Sequence, residues 1–471
     1  MRNLVFCLCF LLPVPGNKAP GQNPADAVNI GTRLELFVDD FLIDRLEGTT
    51  LLLHHPVPQE TAIAFDTSWE GNTSAYVTVF PDGDIFRMYY RGSHWDPESD
   101  VYSGQVVCTA ESDDGISWRK PQLGLYSYEG SKKNNIVWQD VGAHNFTPFK
   151  DTNPGCPPEE RYKAVGSEGE RLFAFKSADG LSWSLLREEP ILAGYAFDSQ
   201  NLAFWDPLRG MYLLFHRGWR NRIRDILQST SPDFRNWTAS GWLDWGTATD
   251  EHLYTSAIIP YFRAPHILVG FPKRFLPERT TGRHKFGGLS DGLFMSSRDG
   301  LHWKRWGEAF LRPGLQPERW VNRNNMIAWG LVVTKSPLPG APEEISLYSS
   351  EGYYQKDCRM RRHTLRLDGF VSVHADARGG EMVTRPLLFG GRELVINFAT
   401  SAAGSVRVEV QDEAGSPIEG FLLDDCPEIY GDEVERVVQW KQGTTLEELD
   451  GKPVRLRFVM KDADLYSIRF R

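Results

Sequence analysis

Five short stretches of this chain each set a polar or charged side chain immediately ahead of an apolar run. They are Trp69-Glu70-Gly71-Asn72, His144-Asn145-Phe146, Phe197-Asp198-Ser199-Gln200-Asn201, Asp250-Glu251-His252-Leu253-Tyr254 and Glu318-Arg319-Trp320-Val321-Asn322-Arg323. Among their acids, Glu70, Asp198 and Glu251 come from three different stretches and can converge on one sugar. Two carboxyl groups facing one another, one protonated and one ionised, are the equipment that breaks an acetal bond between sugars. A funnel that gathers several acids drives their pKa values apart. The pattern places all three in one site, and by analogy the expected roles are Glu251 as general acid, Asp198 as a carboxylate that orients the sugar or tunes that acid, and Glu70 as base or nucleophile. His144, Asn145, Gln200, Asn201, His252 and Tyr254 offer donors and acceptors for hydroxyl groups, and Trp69 and Trp320 offer stacking faces. The plainer reading of each carboxylate is a hairpin-end residue or a surface ion pair.

Further candidates flank this set. Asp39 and Asp40 are adjacent, so in a strand they face opposite ways and at most one, Asp40 for instance, enters a shared funnel. Either would also serve by pinning a strand edge. Asp291, in Leu289-Ser290-Asp291-Gly292-Leu293, precedes another strand. Arg91 in Tyr90-Arg91-Gly92 and Arg217 in His216-Arg217-Gly218 occupy matching places, and Arg319 and Arg323 lie in the last stretch. Arginines around a funnel either grip a carboxylate or sulfate on an acidic sugar or neutralise the acids beside them.

The elements that position these residues are legible from a repeat. Ser112-Asp113-Asp114-Gly115-Ile116-Ser117-Trp118 returns as Ser177-Ala178-Asp179-Gly180-Leu181-Ser182-Trp183 and as Ser297-Arg298-Asp299-Gly300-Leu301-His302-Trp303. Ser231-Pro232-Asp233-Phe234-Arg235-Asn236-Trp237 keeps all but the glycine, and Ser349-Ser350-Glu351-Gly352-Tyr353-Tyr354 reads as a degraded fifth copy, at a period of about 50–65 residues. In each, a strand ends at Ser, Asp-Gly turns the chain, and Trp anchors the returning strand. The turn Asp residues (Asp114, Asp179, Asp233, Asp299) are therefore expected to be structural. Alternating strands precede each copy, such as Tyr76-Val77-Thr78-Val79-Phe80 and Phe86-Arg87-Met88-Tyr89-Tyr90. Units of about four short strands with a fixed turn are propeller blades. The prediction is an all-β chain: a five-bladed β-propeller over 28–367, with Leu34–Val38 lending a strand to the last blade, followed by a C-terminal β-sandwich over 368–471. The innermost strand of every blade starts at one mouth of the channel, which is why the five stretches above share a funnel.

Composition fits this reading. Aromatic residues make up 12% of the 471, with 15 Trp beside 43 Gly and 29 Pro, as in a turn-rich β-protein. A net charge of −10 and the lack of a basic block argue against nucleic acid as a partner. Residues 1–27 read as a signal peptide, one positive charge followed by Leu4–Leu12, too short an apolar run to span a membrane. The expected location is secreted or periplasmic. Cys108, Cys156, Cys358 and Cys426 match no zinc spacing and no metal site is predicted. No cofactor is expected beyond an optional structural calcium ion among the channel acids, and no contiguous calcium loop is present. The oligomeric state is left open.

With Leu36-Phe37-Val38-Asp39-Asp40-Phe41-Leu42-Ile43-Asp44, the blade turns and Asn397-Phe398-Ala399-Thr400-Ser401-Ala402-Ala403-Gly404, the chain resembles the five-bladed propeller glycoside hydrolases of the family 43 and family 32 type, in a secreted bacterial branch. That resemblance implies a hydrolase acting on a plant, algal or microbial carbohydrate. The invertase-like W-M-N-D-P-N-G, R-D-P and E-C motifs are absent, and Asp206 of Trp205-Asp206-Pro207 reads as a turn residue, so no catalytic residue transfers by motif. Two other readings remain: a propeller that binds glycan without cleaving it, and a sialidase-like hydrolase of acidic sugars using Arg91, Arg217 and Arg323 with Tyr254 and Glu251. A phosphorolytic relative would need a cationic pocket.

Overall fold

The computed structural model describes residues 27–282 and 284–471. The predicted signal peptide lies outside the described residues, save Ala27. Among the described residues regular structure is strand, apart from short 3-10 turns, and no helix is long and apolar enough to cross a membrane.

Five antiparallel sheets follow one another along the chain. The first contains Ala75–Asp82, Ile85–Gly92, Val106–Ser112 and Ile136–Trp138; the second begins with Thr147–Lys150, Tyr162–Glu168 and Arg171–Ser177. The third contains Leu202–Asp206, Met211–Arg220, Ile223–Ser231 and Gly241–Trp242. In the fourth, Ile259–Tyr261, Ala264–Gly270, Met295–Ser297 and Lys304–Arg305 pair in that order, and a short arm, Lys273–Leu276 with Leu289–Gly292, extends its hairpin. The fifth pairs Val332–Thr334, Glu344–Glu351 and Arg359–Arg366 with Val57–Ala64.

The repeat does the structural work expected of it. In the second sheet Asp179 Oδ1 accepts from the Leu181 and Ser182 amides at 2.8 and 2.7 Å, and Ser177 Oγ accepts from the Gly180 amide at 2.9 Å. Asp114, Asp233 and Asp299 repeat the two amide contacts. Three of the four turns also accept a hydrogen bond from the neighbouring sheet. The Gly180 carbonyl accepts from Tyr89 of the first sheet at 2.8 Å, and the Gly300 carbonyl accepts from Gln228 of the third at 3.2 Å. The Gly115 carbonyl, in the first sheet, accepts from Tyr348 of the fifth. Backbone bonds join the same two sheets, Val79 N to the Trp329 carbonyl at 2.8 Å and Trp329 N to the Val77 carbonyl at 2.9 Å. The succession therefore returns to its beginning. Asp179→Ala is expected to cost about 1–2 kcal/mol, the price of stranding two turn amides, with no loss of turnover. Chemical denaturation and an activity assay check both halves.

Two expectations are corrected here. Leu34–Val38 does not complete the fifth sheet: Glu35–Leu36 pairs with Val454–Phe470, and Val28–Gly31, Ile43–Glu47 and Thr49–Leu53 join the same ten-stranded C-terminal sheet. Its core joins Phe37 and Leu42 to Phe398, Phe458 and Phe470. The edge strand of the fifth sheet is Val57–Ala64. The segment Ser349–Tyr354 is not a fifth copy of the turn either. It follows the second strand of its sheet, whereas the true copies follow the third. The fifth sheet takes its fourth strand from the N-terminal region and so needs no turn there.

Candidate active site

Second strands run antiparallel to the third, so the ends of the second strands lie opposite the Asp-Gly turns. At that end a cleft of about 680 Å³ opens, lined among others by Arg91, His144, Asp198 and Arg323. Each of the five sheets sends a side chain to this region: Tyr76 and Arg91 from the first, His144 ahead of the second, Asp198 and Arg217 from the third, Tyr254 and Lys273 from the fourth, Arg323 and Tyr353 from the fifth.

Asp198 is the centre. Its side chain is 62% exposed to the cleft, and Oδ1 lies 3.0 Å from His144 Nε2. Tyr254 donates to Oδ2 at 3.4 Å, and an Arg217 guanidinium nitrogen stands 3.8 Å from the same oxygen. Burial works to raise the Asp198 carboxyl, but the hydrogen bond from His144 and the charges of Arg217, His144 and Arg323 outweigh it and hold the pKa at about 2. For His144, burial is the largest influence and lowers the pKa; Arg91 adds to it against the pull of Asp198. The imidazole is thus neutral at pH 7. An ionised carboxylate only accepts, so Nε2 carries the hydrogen, and Nδ1 accepts from an Arg91 terminal nitrogen at 3.3 Å.

The rest of the floor is aromatic and basic. Arg91 and Arg323 both donate to the Tyr353 hydroxyl, at 3.0 and 2.9 Å. Arg91 also lies 4.9 Å from the Tyr76 ring centroid. Tyr76 is buried, with its hydroxyl pushed up first by that burial and then by Tyr254 and Asp198. Tyr76 and Arg323 adopt positive φ, 54° and 68°, a strain that collects where side chains are aimed at a site.

Of the residues expected here, His144, Asp198, Tyr254, Arg323, Arg91 and Arg217 meet. The others do not, and the predicted convergence of three acids is corrected. Glu70 is fully buried, gripped by Lys120 at 2.6 Å and by the Tyr90 hydroxyl at 2.6 Å. Glu251 is held by Arg274 at 3.0 Å and Arg305 at 2.9 Å, and Arg274 also binds Asp291 with two donors. These are ion pairs that lock hairpin ends. Asp40 borders a separate hollow beside Arg298 and Asp299. Asn145, Gln200 and Asn201 are buried stitches: Asn145 donates to the Phe197 and Ser199 carbonyls, Asn201 to the same two, and Gln200 to the Val77 carbonyl at 3.0 Å. Trp69 donates to Asn135, Trp320 to the Gly314 carbonyl, Arg319 to Asn325, and His252 accepts from the Arg224 amide.

Sequence reasoning missed Tyr76, Arg224, Lys273 and Tyr353. Lys273 was findable, because it lies three residues past the second strand of the fourth sheet, near the place that Arg91 and Arg217 hold late in the second strands of the first and third. The cleft wall also carries Asp140 and Glu168, both exposed. Among the described residues no group of three or more His, Cys, Asp or Glu side chains is placed to hold a metal.

No family model matches the chain, and no curated protein matches it. Solved structures that are similar include a glycoside hydrolase, at 15% identity over 66% of this chain and 92% of that protein, with a TM-score of 0.44. An N-acetylgalactosamine deacetylase from F. plautii, in complex with blood group B trisaccharide, matches at 11% identity over 66% and 95%, TM-score 0.46. A glycosyl hydrolase from Bacteroides ovatus matches at 14% identity over 74% and 96%, TM-score 0.41.

Proposed function

We propose that the chain is an exported glycoside hydrolase, a five-bladed propeller with a C-terminal β-sandwich, whose reaction centre is Asp198 in the cleft where the five sheets meet. The observation that carries this reading is an ionised carboxylate, open to the cleft and fixed on both oxygens by His144 and Tyr254. Such a group is a base or nucleophile, never the acid. Of the other carboxyl groups that line the same cleft, Glu168 is paired with Arg171 at 2.7 Å, which leaves Asp140 to supply the proton for the leaving group. Neutral His144 orients Asp198 through Nε2–H, and Tyr254 shares its second oxygen.

The reading is tested by incubating the purified chain with aryl glycosides and with plant and algal oligosaccharides and measuring released sugar. Release of one sugar type supports it. Retained glycan binding without release would favour a binding propeller instead, a reading helped by the withdrawal of Glu70 and Glu251 from the cleft. The pH profile gives a second check. Because Asp198 has a folded pKa near 2, below the ordinary 3.8, it stays ionised as pH falls through 3.8 and protonates only near 2. The acid limb of kcat/KM is therefore expected below 3.8. A limb with a midpoint above that value would assign the essential base to another group.

A further inference from the structure

Elsewhere among the described residues the buried cations have anionic partners, as Lys163 has Asp151 and Arg362 has Glu60. Arg274 and Arg305 hold Glu251, Arg298 holds Asp39 and Glu35, and Arg359 and Arg361 hold Glu351. At the floor of the cleft this pairing stops. Among the described residues Arg91, Arg224, Lys273 and Arg323 make no ion pair with a carboxylate, and the single acid, Asp198, is already shared by Arg217 and His144. At the floor five basic side chains thus stand against one carboxylate, with Asp140 and Glu168 exposed on the wall and Glu168 paired with Arg171.

They are mutually close. The Tyr254 ring has Lys273 Nζ 4.2 Å from its centroid, the Arg217 guanidinium at 4.6 Å and that of Arg224 at 5.7 Å. Arg91 and Arg323 share the Tyr353 hydroxyl and line the cleft wall. Donors remain unused: Arg91 Nε, one terminal nitrogen of Arg217 and Arg224 Nε are buried without a partner, and the Lys273 ammonium reaches only the Asn322 side-chain oxygen, at 3.4 Å. Lys273 is 1% exposed and Arg91 3%. Burial, then the charges of Arg323, Arg224 and Arg217, press the Lys273 pKa well below that of a free lysine. Basic groups crowded away from water with unspent donors oppose folding. An arriving anion offsets that cost, and arginine forks suit carboxylate and sulfate oxygens.

We propose, resting on the glycosidase reading above, that the cleft takes a saccharide bearing a fixed anionic group, a carboxylate or a sulfate ester. Arg91 and Arg323 grip that group, with Lys273, Arg217 and Arg224 supplying the positive field beneath it. A neutral sugar leaves this field unopposed.

The test separates binding from turnover. Full-length Asp198→Asn protein is titrated calorimetrically, at fixed ionic strength, with uronate-terminated and sulfated disaccharides, with their neutral parents, and with inorganic sulfate. One of the anionic disaccharides is expected to bind at least about tenfold more tightly than its neutral parent, and which one does so distinguishes carboxylate from sulfate. Arg323→Gln and Lys273→Met, each added to that protein, are expected to bring the ratio toward one. Lys273→Met is also expected to raise the melting temperature of the ligand-free protein, because it removes an uncompensated basic group; a merely structural lysine would lower it. Equal affinity for anionic and neutral sugars, binding of inorganic sulfate alone, or a preference that survives both variants would each overturn the proposal. If the wild type binds the anionic sugar and never cleaves it, the glycosidase reading fails and this inference stands. If it cleaves a neutral sugar equally well, the reverse holds.

Discussion

Asp198→Asn is expected to lower kcat by about 10³-fold, within the span of a lost general base or nucleophile, equivalent to about 4 kcal/mol of transition-state stabilisation. The amide keeps the shape of the carboxylate and still accepts from His144 Nε2 across the present 3.0 Å. What it lacks is the negative charge that attacks the anomeric carbon or draws a proton from water. KM is expected to move much less than kcat, because the cleft wall and its arginines are untouched. The fold survives as well: the side chain is 62% exposed and packs against no apolar core. Steady-state kinetics with a denaturation curve on the same sample separates these effects. A variant retaining turnover within about threefold of the wild type would remove Asp198 from the chemistry.

The second large effect concerns closure. Gly330→Ala is expected to destabilise the protein by about 3 kcal/mol or more. Gly330 has a φ of 119°, a conformation other residues rarely adopt, and a Cβ there would overlap the carbonyl oxygen of Val79 in the first sheet. The clash falls beside the two backbone bonds by which Trp329 joins Val77 and Val79, so relief requires the first and fifth sheets to part. Those same sheets carry Arg91, Tyr353 and Arg323, and cleft geometry is expected to suffer with stability. Gly210→Ala is the control, a turn glycine at φ 63° whose Cβ would meet nothing within 4 Å; its cost is about 1 kcal/mol. Equal losses in urea denaturation would mean that the two sheets are not butted together at Gly330.

The strands and turns were legible because their causes are local. An Asp-Gly pair with a flanking Ser and Trp encodes its own hydrogen bonds, and alternation encodes a two-faced strand. The closing strand was not legible, because Val57–Ala64 opens on Val57-Pro58-Gln59-Glu60-Thr61 with no apolar alternation, and only its long-range pairing with Arg359–Arg366 identifies it. The site shows the same division. Position ahead of an inner strand gathered His144, Asp198, Tyr254 and Arg323, whose side chains lie together at one cleft. It also gathered Asn145, Gln200 and Asn201, whose side chains turn back to satisfy carbonyls between sheets. Sequence position gives an address near the axis but not the direction of a side chain. Glu70 and Glu251 were misread for a further reason. Their cations, Lys120, Arg274 and Arg305, sit 23 to 54 residues away, and no local pattern announces the pairing.

The most direct measurement compares sugar release by the wild type with that by Asp198→Asn, Glu70→Gln and Glu251→Gln on whichever glycoside the wild type cleaves, each variant normalised to its folded fraction. The account predicts that Asp198→Asn alone falls silent, while the other two lose stability and keep their turnover per folded molecule. A silent Glu251→Gln or Glu70→Gln beside an active Asp198→Asn would contradict it.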